Sequence, residues 1–154
     1  MPVSKEEIRR NLDTVRERIR MAAAGHGRRM EDIRLIAVSK LMPVDSITAA
    51  LAAGQRCFGE NTLQEALAKQ ALLGDREIEW HFIGHLQSNK AKNLATHFDW
   101  LHTLDSPKLA RRLSDNRPAG ASPLGVLLQV NVARDPHKYG LLPDAVTAMA
   151  EQLL

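Results

Sequence analysis

An alternation with a nearly fixed period constrains this chain more than any other feature. Short strand-like runs occur at 33–39, 55–59, 78–83, 100–103 and 124–130. Their starts recur about every 20–25 residues, the spacing expected of βα units and a parallel sheet. Helical patterns fill the gaps, at 44–53 closed by Gly54, at 62–73 closed by Gly74, and at roughly 88–97. Two more open at Ser106-Pro107, an N-cap with proline at the first helical position, and near Pro143-Asp144. One amphipathic helix precedes the first unit. Ser4 is its N-cap and Glu7 completes the spacing of a capping box, after which Ile8, Leu12, Val15 and Ile19 recur on one face. Gly25 and Gly27 mark its end.

Five βα units after one helix suit either an open doubly wound sheet or part of a (β/α)8 barrel. No Gly-x-Gly-x-x-Gly follows the first run, so the dinucleotide-binding version lacks its main signal. A whole barrel takes eight units and about 250 residues as a rule, and this chain of 154 residues is about three units shorter. The stretch 116–123 (NRPAGASP) reads as a loop within one core, which makes residues 1–154 a single domain.

Bulk properties narrow the function. Hydrophobic residues make up 44% and charged residues 25%, as in ordinary globular proteins. The net charge of +3 comes from scattered pairs, Arg9-Arg10, Arg28-Arg29 and Arg111-Arg112, which form no stripe for nucleic acid. Aromatics are too few for base-stacking platforms. A single cysteine, Cys57, allows no internal disulfide, and residues 1–7 lack the apolar core of a signal peptide. No apolar run approaches the roughly 20 residues that cross a bilayer. The expectation is a cytoplasmic protein with neither membrane nor nucleic acid as partner.

Chemistry is expected at the carboxyl ends of the strands, which share one face of a parallel sheet. Four segments fall there: Ser39-Lys40, Gly59-Glu60-Asn61, the stretch 84–90, and Gln129-Val130-Asn131. Lys40 ends an aliphatic run, and an amine desolvated above such neighbours has a lowered pKa and suits attack on an aldehyde carbon. Strand parity sets Lys40 on one face with Val38 and Ile36. An amine, amides and a carboxylate around an apolar well would suit a planar, polar cofactor. His81 and His85 share a strand face and His102 ends the next strand, but zinc would need a third ligand and supporting partners, so no metal site is expected. Cys57 reads as a small core hydrophobe. Asp135, His137 and Lys138 read as a solvated turn.

The strings AVSK (37–40), FGEN (58–61) with QE at 64–65, WHFIGHLQSNK (80–90), LDS (104–106) and QVN (129–131) resemble the pyridoxal phosphate homeostasis proteins. The resemblance runs through the whole chain in order. It implies the barrel found at the N-terminus of alanine racemase, with about five parallel strands of it present here. It also implies pyridoxal 5′-phosphate held as a Schiff base on Lys40, with Asn61 near the cofactor. Thr62 and Leu63 stand where the family usually has Tyr and Val. In the family the chain continues for about three further units, and the loops that hold the phosphate lie there, as is common in barrels.

The function expected is intracellular cofactor homeostasis without catalytic turnover, with transient contact with apo-enzymes and self-association through open barrel edges. Turnover would need an acid/base group on the other ring face, and the single tyrosine, Tyr139, is expected on a loop. The alternative is a pyridoxal-phosphate-dependent amino-acid racemase. A second alternative is a basic RNA- or protein-interaction module.

Overall fold

A computed structural model describes residues 3–153. Its five parallel strands are β1 (Ala37–Val38), β2 (Cys57–Glu60), β3 (Glu79–Phe82), β4 (Trp100–Leu104) and β5 (Gly125–Leu128), and they pair in the order in which the chain makes them. A doubly wound sheet reverses its order at a switch point. A sequential order without reversal is that of a barrel wall, and it decides between the two architectures.

The helices are α1 (Lys5–Gly25), α2 (Val44–Ala52), α3 (Leu63–Leu73), α4 (Ala91–His97), α5 (Pro107–Asn116) and α6 (Val146–Glu151). Ser4 caps α1 as expected, its Oγ accepting from the Glu7 N–H at 3.1 Å. Ser106 caps α5 in the same way, accepting from Leu109, with Pro107 in the first turn. Single turns of 3-10 helix at Ser88–Lys90 and Pro143–Ala145 lead into α4 and α6. No helix among the described residues is long and apolar enough to cross a membrane.

Alternation along the strands sorts side chains between two faces. Phe58, Trp80, Phe82 and Leu101 turn toward the helices and are buried with Ile47, Ala66, Leu94 and Leu109. The rings of Phe82 and Phe98 meet edge to face at 5.4 Å. The residues between them along each strand line the concave face.

The first strand is shorter than its sequence suggests. The run 33–39 is largely aliphatic, yet only Ala37–Val38 pair regularly with β2. Buried Gln55 explains the shortening: its side-chain amide donates to the Leu35 carbonyl and to the Cys57 carbonyl, each at 2.8 Å. One amide thus replaces the ladder where the two chains splay apart. Arg16 of α1 reaches the same corner and donates to the Ala53 carbonyl at 2.7 Å. Replacing Gln55 with leucine keeps the volume but leaves two carbonyls without their donor. Gln55→Leu should lower stability by about 2 kcal/mol or more in urea unfolding, a cost typical of unsatisfied buried groups.

Candidate functional site

The carboxyl ends of the strands do converge. Ser39 extends the β1–β2 pairing by one hydrogen bond, its N–H donating to the Gly59 carbonyl at 2.9 Å, and Lys40 follows in the turn. The β2 and β3 loops touch backbone to backbone. A Cβ on Gly84 would stand 2.0 Å from the Asn61 carbonyl oxygen, so only glycine permits this approach. Thr103 at the end of β4 secures the loop, its hydroxyl donating to the Gly84 carbonyl at 2.6 Å. Across the mouth, His85 stacks flat on Tyr139, ring centroids 3.4 Å apart, which joins the loop after β3 to that after β5. Gln129, Asn131, Lys138 and Tyr139 line a hollow of about 370 Å³ there. Among the described residues, the buried Oε1 of Gln129 has no hydrogen-bond partner.

Two sequence-based expectations need correcting. Lys40 is exposed, not desolvated. The cause is its strand: β1 is an edge with β2 as its one neighbour in the sheet, and Val38 beneath Lys40 is itself 51% exposed. The amine is well placed but not dried by its surroundings. Glu60, expected at the mouth with Gly59 and Asn61, is instead fully buried. Strand parity turns it with Phe58 toward the helices, and half-buried Asn61 remains at the mouth.

Glu60 belongs to a charged cluster beneath Lys40. Buried Lys69 of α3 donates to Glu60 at 2.8 Å, to Glu65 at 2.6 Å and to the Ser39 carbonyl at 2.6 Å. Ser39 Oγ donates to the same Glu60 oxygen at 2.6 Å. Glu65 also accepts from the Leu41 N–H at 2.6 Å. The hydrogen bond from Lys69, aided by that from Leu41, holds the Glu65 carboxyl below the usual carboxylate range. Nothing in the motifs singled out Lys69. The available signals were a carboxylate on the apolar face of a strand, which requires a partner, and the Glu65/Lys69 spacing of one helical turn.

A second polar group lies on the concave face away from the mouth. His81 Nδ1 is 2.9 Å from His102 Nε2, and His81 Nε2 is 2.8 Å from Glu79. Arg34 donates to that same Glu79 oxygen at 2.9 Å, and the Cys57 thiol lies 3.5 Å from it. His85 does not join the other two histidines. Cys57 is half-buried beside a carboxylate, a correction to its reading as a core hydrophobe. Ligand atoms of Cys57, Glu79 and His81 fall within 4.8 Å of one another, a grouping the spacing did not foretell. Burial, and then the Glu79 charge, push the thiol up, which disfavours the thiolate a metal needs. Arg34 already occupies the carboxylate oxygen with a positive charge.

Burial holds His81 below the ordinary imidazole value, against the pull of Glu79, and burial does the same to His102. Both are therefore neutral in the folded chain under conditions where the unfolded chain has begun to take up protons. Stability is greatest above the unfolded value, near 6.5, and is lost as pH falls below it. Glu65 adds to the loss further down, since its depressed carboxyl stabilises the fold only while ionised. The urea midpoint should fall between about pH 7 and pH 5, and His102→Gln should flatten that fall.

The sequential sheet, its helix layer and the lysine past β1 define a barrel wall of the alanine racemase N-terminal type, and that family matches residues 3–154. The chain belongs to the alanine racemase N-terminal domain family. Within it, the likeness carried by the motifs is borne out. A pyridoxal phosphate homeostasis protein of Pseudomonas aeruginosa is 51% identical over 144 residues, covering 94% of this chain and 63% of that protein. One from Escherichia coli K12 is 47% identical over 152 residues, covering 94% and 65%. The chain thus spans just under two thirds of the length of these relatives. The structure of PipY from Synechococcus elongatus with PLP bound is 46% identical, with a TM-score of 0.68, over 79% of this chain and 56% of that one.

Proposed function

We propose that this chain binds pyridoxal 5′-phosphate for intracellular cofactor homeostasis, holding it as a Schiff base on Lys40 without turnover. The observation that carries the reading is the place of Lys40. It is an accessible amine one residue past Ser39 at the carboxyl end of β1, where parallel folds assemble their ligand sites. The groups around the mouth suit a polar aromatic ligand. Asn61 offers an amide, and the unpartnered Gln129 oxygen is an acceptor of the kind that a ligand or water satisfies. PipY, with PLP in its structure, supports the same reading. Transient delivery to apo-enzymes and self-association through the free edges of β1 and β5 belong to this proposal.

Borohydride reduction of the protein loaded with pyridoxal 5′-phosphate, followed by peptide mapping, should put the label on Lys40. Lys40→Ala should abolish the visible absorbance of the bound cofactor, while Lys90→Ala and Lys138→Ala keep most of it. Retained absorbance in Lys40→Ala would remove this lysine from the site.

The cofactor would supply an electron sink through its pyridine ring, but proton removal from an amino acid needs a base poised over the opposite ring face. Tyr139, the one tyrosine in the chain, has its ring flat against His85. Incubation with L-alanine and the cofactor should therefore yield D-alanine no faster than free cofactor does. A rate clearly above that control would establish the racemase in place of the carrier.

A further inference from the structure

The same Lys40 is held from below in a way that packing alone does not require. The two peptide units that bracket its Cα are each bound by a charged side chain of α3. Lys69 donates to the Ser39 carbonyl, which belongs to the peptide before Lys40, at 2.6 Å. Glu65 accepts from the Leu41 N–H, which belongs to the peptide after it, at 2.6 Å. The two side chains are bonded to each other at 2.6 Å, and Lys69 is anchored to fully buried Glu60 at 2.8 Å. Leu41 meanwhile adopts a φ of 61°, in the left-handed region that a leucine enters only at steric cost. Its side chain is 86% exposed, so no burial compensates the strain. Strain of this kind persists where the surroundings over-determine it.

We propose that Glu65 and Lys69 are positioning residues for Lys40, gripping the peptides on both sides of it and so fixing the direction in which its amine leaves the sheet. The inference rests on the reading of Lys40 as the cofactor-binding lysine. Its physical content is orientation: an amine on a freely turning backbone meets an aldehyde in few productive geometries, and holding it in one raises the capture rate. A cluster that served only to staple α3 to β1 and β2 would have no use for the Leu41 N–H, because Leu41 lies outside the core.

The test compares Glu65→Ala, which removes the acceptor, with Glu65→Gln, which keeps an oxygen for both Leu41 and Lys69. Amide hydrogen exchange at Leu41, in the 154-residue chain without cofactor, reads the grip directly. The rate of pyridoxal 5′-phosphate capture, followed by absorbance and mapped by borohydride, reads its consequence. Glu65→Ala should speed Leu41 exchange and slow capture at Lys40 by about tenfold each, with Glu65→Gln close to the parent chain. Leu41→Pro, which deletes the N–H and cannot hold a positive φ, should slow capture likewise without touching α3, and it decides the matter if Glu65→Ala does not fold. Unchanged exchange in Glu65→Ala, or capture within about twofold of the parent in both variants, overturns the proposal. Trapping in the parent chain at a lysine other than Lys40 overturns the reading beneath it. Normal trapping at Lys40 that is indifferent to Glu65 overturns the positioning role alone.

Discussion

Lys69, buried between the carboxylates of Glu60 and Glu65, is the interaction on which the first two units of this fold depend. Burying an ammonium costs several kcal/mol unless its partners are close and well aimed. Here Lys69 has three oxygen partners: two tie the ends of β1 and β2 to α3, and the third lies in the first turn of α3 itself. Removing one partner of such a group typically costs about 3–5 kcal/mol, because the other charge stays buried. The lysine at the mouth therefore stands on an electrostatic joint rather than on greasy contacts.

The sheet divides its chemistry between its two faces. The helix side is built of Phe58, Phe82, Leu94 and Leu101, with the Lys69 cluster as its charged exception. The concave side carries His81, His102, Glu79, Arg34 and Trp100, with His81 stacked near the indole at 5.9 Å. It also leaves Val38 half in solvent. A concave face of this kind is neither an exposed surface nor a finished core.

Much of this was legible from the sequence. Ser4 and Ser106 announced their helices because a cap is a local matter of one hydroxyl and one nearby N–H. Gly54 and Gly74 marked helix ends for a similarly local reason, and each has a positive φ. What escaped was set by distant partners. β1 shrank because a glutamine twenty residues on took over its hydrogen bonding. Glu60 sits between two mouth residues in the sequence, and the alternation of the strand alone turns it to the opposite face. The exposure of Lys40 could not follow from its own run, since it depends on how many strands flank β1. The motifs contain Lys40, Glu60 and Glu65, while Lys69, which joins their segments, lies outside every motif.

The strictly sequential pairing of the strands has a consequence for how the molecule comes into being. Each strand lies beside the one made immediately before it. Every pairing therefore closes a loop of one βα unit, and loop-closure entropy stays small at every step. Topologies dominated by such near-neighbour contacts fold faster than those that must bring distant segments together. A wall of this design can be laid down in order, from β1 outward, as the chain leaves the ribosome. The Glu60–Lys69 joint, whose residues are only nine apart, needs no segment beyond α3 to form.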